Sequence, residues 1–119
     1  MRKTVLSVAA GAALLLAANA ASAMCIYNQS EFDTVYVEFD CGFLCSNKWE
    51  IRKGQHNCRG GKGGELEIGI RKGGYYLRPW VQDHGYVTVH GNCRQMTARV
   101  WSESHVLFQE VSAHSLKCN

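Results

Sequence analysis

The chain has 119 residues, with 13 Lys plus Arg, 10 Asp plus Glu and six cysteines. This length suits a single domain, and a formal net charge of +3 is too small for a general attraction to nucleic acid. After the first 23 residues no apolar stretch is long enough to span a bilayer, so the rest of the chain is expected to be soluble.

The start of the chain has the pattern of a secretory signal peptide. Arg2 and Lys3 precede a short apolar segment, and Ala21–Ala23 has the small residues of a cleavage site. We expect residues 1–23 to be removed by cleavage after Ala23. The mature protein, residues 24–119, then has a net charge of +1 and is secreted or periplasmic, with a bacterial type of signal.

All six cysteines follow the predicted cleavage site: Cys25, Cys41, Cys45, Cys58, Cys93 and Cys118. An even number in a short exported chain predicts three disulfides, whose pairing the sequence leaves open. A lipid anchor on Cys25 is disfavoured because Met24 stands where a lipobox has a small residue. The other alternative is a metal site with four ligands: Cys41, Cys45, His56 and Cys58.

The mature chain has the alternation that is typical of short β-strands. Four segments place apolar side chains at every second position and hence on one inward face. Those inward residues are Val35, Val37 and Phe39; Leu66, Ile68 and Ile70; Val87 and Val89; and Met96, Ala98 and Val100. Shorter apolar runs at 25–27, 49–51, 75–81 and 106–111 supply further strands. The sequence predicts one all-β domain, an antiparallel sandwich or small barrel of about seven or eight strands stapled by disulfides.

The segment NCRGGKGGELEIGIRKGG, residues 57–74, combines glycines with positive charges. A phosphate-binding P-loop needs a Ser or Thr after Gly-Lys and then a helix, whereas RGGKGG has no such hydroxyl and leads into a strand. We therefore interpret these glycines as a turn, and Gly73–Gly74 as the turn of the next hairpin. The alternative is an anion nest of the Gly60–Gly64 amides, with Arg59 and Lys62 beside it.

Charge is distributed unevenly along the mature chain. Residues 24–47 contain no Lys or Arg, whereas residues 48–78 have a local net charge of +5. This asymmetry predicts either a basic patch or cross-strand pairing on a solvated face, and we favour the pairing.

A candidate binding face is formed by Tyr76, Arg78 and Trp80, which share one side of a strand. If exposed, these residues suit stacking on a sugar ring or contact with a partner protein. We favour a core or half-buried position, in a hairpin with the strand after Gly85, because a small sandwich needs its aromatic residues inside. Pro79 lacks an amide donor and so predicts an edge strand or a bulge.

Catalysis has weaker support. The five histidines are His56, His84, His90, His105 and His114. Possible helpers are Glu50, Asp83, Arg99, Ser102 and Glu103, but no local signature combines them.

We therefore expect a non-enzymatic binding protein without cofactor or metal, whose ligand is an envelope polysaccharide, an anion or another exported protein. The candidate ligand-binding residues are Tyr76, Arg78, Trp80, Arg59 and Lys62. The first alternative is a small secreted hydrolase, such as a nuclease or a cell-wall enzyme, and the second is a metal-binding protein.

Overall fold

The computed structural model describes residues 23–40, 46–60 and 62–116, which form ten β-strands. The strands are β1 Ala23–Asn28, β2 Thr34–Asp40, β3 Ser46–Arg52, β4 His56–Gly60, β5 Gly64–Arg71, β6 Gly74–Leu77, β7 Trp80–Val81, β8 Tyr86–Gly91, β9 Gln95–Trp101 and β10 Leu107–His114. The described ranges contain no helix, and the all-β prediction is confirmed. The predicted number of strands was too low, because β4 was missed and the run 75–81 forms two strands.

A membrane-spanning helix is absent from the described ranges. The predicted signal peptide lies outside them apart from Ala23, the first residue of β1.

The strands form two sheets that enclose a common core. One sheet has the order β10-β9-β8-β1-β4, and the other has the order β3-β2-β5-β6 with β7 paired to β5. The pairs are antiparallel except for β1 and β8, which run parallel from Cys25 opposite Tyr86 to Asn28 opposite Val89. The antiparallel prediction is therefore wrong for this pair. Parallel neighbouring strands need a long connecting segment, and here the strands of the second sheet form most of the segment between β1 and β8.

The core contains nearly all the side chains that the alternation places inward. The predicted residues of β2, β8 and β9 and the first two of β5 are at most 1% exposed. Ile70, the third predicted residue of β5, is half-buried and packs against the core. The pairing of β5 with β6 is irregular around Gly69, so the alternation of β5 is less regular near its end.

A disulfide joins Cys25 of β1 to Cys58 of β4, which lie opposite each other in the antiparallel register. Cys93 is also disulfide-bonded. The prediction of disulfides is thus confirmed for these three, and Cys41, Cys45 and Cys118 lie outside the described residues. Because its sulfur bonds to Cys25, Cys58 cannot be the thiolate ligand of the alternative metal site, and the sulfur of Cys25 is likewise unavailable to a lipid.

Candidate functional site

A surface cleft of about 440 Å³ opens where β2 and β4 end and the turn before β8 begins. Its lining includes Phe39, Arg59, Lys62, Gly63, Asp83 and His84. We call it the Arg59 cleft. It unites the two predicted anion-binding residues, Arg59 and Lys62, with a histidine that the sequence did not connect to them.

Arg59 is held against an aromatic ring. Its guanidinium carbon lies 4.1 Å from the centre of the Phe39 ring, which is a cation–π contact. The Nε and Nη1 atoms of Arg59 are buried and have no hydrogen-bond partner among the described residues. The ion pairs found in the described ranges do not include Arg59. The cleft therefore contains a cation that is held against Phe39 and has two nitrogen atoms without a hydrogen-bond partner among the described residues.

The glycine-rich loop is held by its own amides. The Lys62 amide donates to the Gly60 carbonyl at 2.8 Å, and the Gly63 amide donates to Asp83 Oδ1 at 2.7 Å. Two amides of the hypothetical anion nest are thus already engaged. A Cβ atom at Gly63 would lie 2.0 Å from the Val81 carbonyl oxygen, so glycine is required here by close packing on β7.

His84 lines the cleft from a turn in which its own backbone has a left-handed conformation. The Gly85 amide donates to the Gln82 carbonyl at 3.0 Å, which closes the turn, and His84 has a φ of 61° within it. A non-glycine residue in this left-handed conformation is uncommon and often marks a functional position. The same turn contains Asp83, which fixes the glycine-rich loop on the other side of the cleft.

The second predicted site, Tyr76, Arg78 and Trp80, is exposed. Trp80 is 50% exposed and the Arg78 side chain 68%, so the favoured core or half-buried position is wrong and the exposed alternative is correct. The reason is that β7 pairs with β5, with Trp80 opposite Glu65, and forms no hairpin with β8. Among the described strands β6 and β7 each pair only with β5, which agrees with the predicted edge position, and the chain leaves strand structure between them at Arg78 and Pro79.

Arg78 compensates a repulsive pair on the outer face of its sheet. Glu38 lies directly opposite Glu67 in the pairing of β2 with β5, and like charges in that position are destabilising. Arg78 forms an ion pair with Glu67 at 3.4 Å, and the Tyr75 hydroxyl donates to Glu38 at 3.0 Å. Burial raises the pKa of Tyr75, and its bond to Glu38 raises it further. Arg78 thus has an ion-pair partner, whereas the ion pairs found in the described ranges do not include Arg59.

Three further exposed apolar side chains lie at and just before the start of β10, whose Gln109 contacts the Trp80 backbone. Val106, Leu107 and Phe108 are 47–61% exposed, and the Trp80 amide donates to Gln109 Oε1 at 3.1 Å. We call this group the seam surface; it consists of Tyr76, Trp80, Val106, Leu107 and Phe108. No pattern in the sequence indicated that the last three members are exposed, since the run 106–111 predicted only a further strand. A register shift between Leu107 and Gln109 breaks the alternation there.

Most candidate catalytic residues have local structural roles. His56 stacks on Tyr27, with ring centres 5.0 Å apart. His105 Nδ1 lies 2.9 Å from the Tyr86 hydroxyl, and His90 Nε2 lies 2.8 Å from Thr88 Oγ1.

The proposed helper residues also make contacts of their own. Arg99 Nε donates to Glu110 at 2.8 Å, and Ser102 Oγ accepts from the Val106 amide at 3.1 Å in the turn before β10. Glu50 pairs with Lys72 at 3.6 Å. The predicted pairing of the cations in 48–78 is thus confirmed for Lys72 and Arg78, which lie just outside the strands and pair with Glu50 of β3 and Glu67 of β5.

Comparison with known proteins gives no further guidance: no protein-family model, curated protein or solved structure matches the chain. The function must be inferred from the side chains and surfaces described above.

Proposed function

We propose that the protein is an exported, non-enzymatic binding protein whose ligand is another exported protein, held on the seam surface. The observation that carries this proposal is that five large apolar side chains are exposed on β6, on β7 and around the start of β10, and that the Trp80 amide bonds to Gln109 of β10. Isolated exposed apolar residues are normal on soluble proteins, but a contiguous group is typical of an interaction site.

The chemistry of the seam surface favours a protein over a glycan. Tyr76, Trp80 and Phe108 offer aromatic faces, which suit both kinds of ligand. Val106 and Leu107 are aliphatic and have no flat face for a sugar ring, whereas they pack well against the apolar side chains of a protein. Aromatic anchors such as Trp and Tyr supply much of the binding energy at protein interfaces.

The backbone next to this surface offers a second mode of contact. Among the described strands β10 pairs only with β9, so it forms one end of its sheet. An end strand can accept an extended segment of a partner through main-chain hydrogen bonds, while neighbouring side chains supply specificity. The disulfide between Cys25 and Cys58 supports an exported location, since such bonds persist in oxidising compartments.

The test begins with a photocrosslinking amino acid in place of Phe108, introduced in the native host. The partner that crosslinks at this position is then identified and purified separately. Its binding to the chain without the photocrosslinking amino acid is measured directly. We expect Trp80→Ala and Phe108→Ala each to weaken this binding by about tenfold or more. The control is Lys53→Ala, an exposed residue in the turn between β3 and β4.

Two results would contradict the proposal. In one, Trp80→Ala and Phe108→Ala bind the purified partner as tightly as Lys53→Ala. In the other, envelope polysaccharide rather than protein is retained, and its retention depends on Trp80. Turnover of RNA or of cell-wall substrate that disappears with His84→Ala would favour the hydrolase instead.

A further inference from the structure

We infer that the Arg59 cleft is a second binding site, separate from the seam surface, and that it takes an oxyanion. The ligand group is the phosphate, sulfate or carboxylate of a small molecule. The inference does not depend on the proposed protein partner.

The first argument is the unsatisfied hydrogen-bonding capacity of Arg59. Buried polar groups in native proteins nearly always have a partner, and an exception calls for an explanation such as a functional role. Arg59 Nε and Nη1 are such exceptions in the described part of the chain. A guanidinium cannot escape the cost by losing its proton, because arginine stays protonated in proteins. An anion that reaches these N–H groups removes this cost.

The second argument is that the guanidinium is positioned before a ligand arrives. Its contact with Phe39, a core residue 1% exposed, holds its plane against a rigid support. Arginine presents its donors in a planar fork that matches two oxygen atoms of one anion. A fixed fork loses little conformational entropy on binding, which favours a small ligand.

The third argument is the charge of the other residues in the cleft. Lys62 lies at the cleft with an exposed side chain, and it forms none of the ion pairs found in the described ranges. Asp83 is the carboxylate among the described lining residues, and its Oδ1 accepts the Gly63 amide. Within that described lining, Arg59 and Lys62 outnumber Asp83. The cleft attracts anions although the mature chain is almost neutral.

The test is a titration of the ¹⁵N-labelled protein, followed through the Arg59 Nε–H resonance. Sodium phosphate, sodium sulfate and sodium acetate are added separately, with sodium chloride used to keep the ionic strength constant. We expect a saturable shift of this resonance with at least one oxyanion. Phosphate and sulfate without acetate would identify a tetrahedral group, whereas acetate would identify a carboxylate; both results support the inference.

The variants separate the cleft from general charge effects. We expect Arg59→Gln to weaken oxyanion binding by about tenfold or more, followed through the backbone amides of the cleft. Lys62→Gln should weaken it about two- to fivefold, and because this side chain is exposed the variant should fold normally. Arg94→Gln, an exposed arginine outside the cleft, should leave binding unchanged.

Three results would overturn the inference. The first is the absence of a saturable shift with all three oxyanions. The second is that Arg94→Gln weakens binding as much as Arg59→Gln or Lys62→Gln. The third is that sodium chloride alone produces the same shift, because binding would then be adventitious screening by any anion.

Discussion

Asn28 Nδ2 donates a hydrogen bond to the Ile51 carbonyl oxygen at 2.9 Å and so joins the end of β1 in one sheet to β3 in the other. Asn28 is 1% exposed, and its Oδ1 accepts the Ser30 amide at 3.0 Å. One buried side chain thus organises the turn between β1 and β2. It is also the asparagine of an Asn-Gln-Ser sequon, and in the folded protein its amide nitrogen is already engaged.

We expect Asn28→Ala to lower the free energy of unfolding by about 1–3 kcal/mol, because it leaves the Ile51 carbonyl and the Ser30 amide without their partner. Urea unfolding measures the change. Gln29→Ala, an exposed neighbour, should change the value by less than about 0.5 kcal/mol. Equal effects of the two substitutions would show that the Asn28 bonds do not stabilise the turn.

The bond between Cys25 and Cys58 closes a loop over a sequence separation of 33 residues. Loop-closure entropy for this length corresponds to about 3–4 kcal/mol. Replacing both cysteines with alanine should therefore reduce the free energy of unfolding by about that amount, measured without reductant so that Cys93 stays bonded. A loss below about 1 kcal/mol would mean that the unfolded chain is already restricted without the disulfide, through residual pairing of β1 with β4.

His90 should make the stability depend on pH. Burial lowers its pKa from the ordinary 6.5, and Arg99 lowers it further, while Glu110 opposes the change. The unfolded state therefore binds a proton more readily once the pH falls below about 6.5. The His90 contribution to stability is complete above that pH, is lost as the pH falls towards the folded pKa, and changes no further below it.

Urea unfolding at about pH 7.5 and about pH 5 measures this contribution. The wild-type protein should lose more stability between the two values than His90→Gln does. His114→Gln, an exposed histidine on β10, should behave like the wild type. If His90→Gln and the wild type lose the same amount, other groups account for the pH dependence.

Two glycines at the same end of the sandwich should respond differently to substitution. Gly63→Ala places a methyl group 2.0 Å from the Val81 carbonyl oxygen and should cost about 1–3 kcal/mol of stability, because backbone must move. Gly60→Ala meets nothing within 4 Å and should have little effect. Thermal unfolding compares the two, and a tolerated Gly63→Ala would show that the loop does not pack closely on β7.

Much of the fold was predictable because the apolar core residues occupy every second position along parts of β2, β8 and β9. The missed strand, β4, has the sequence HNCRG, and all its side chains are exposed or half-buried. A polar strand at the end of a sheet has no alternation to detect. Its position depends on pairing with β1 and on the disulfide of Cys58, which are contacts between residues distant in sequence.

The sites were less predictable for the same reason. The sequence pattern predicts a hairpin between the strand of Trp80 and the strand after Gly85, but Trp80 pairs with Glu65 in β5. Alternation within one segment indicates which residues share a face, but it does not indicate which strand pairs with that segment. The charges of Arg59 and Lys62 can be read from the sequence. The contact of Arg59 with Phe39 and the position of His84 in the cleft depend on other strands and turns, which the local sequence does not reveal.

The parallel pairing of β1 with β8 affects the order in which the chain can fold. β1 is synthesised before the other described strands, yet β8 follows all the strands of the second sheet. A contact between segments so far apart in sequence forms slowly, because a long loop must close first. A nascent chain that holds only β1 to β7 therefore has no native neighbour for one side of its first strand. Such a chain stays incompletely folded until β8 has been synthesised, and an incompletely folded chain is the form that can be threaded across a membrane.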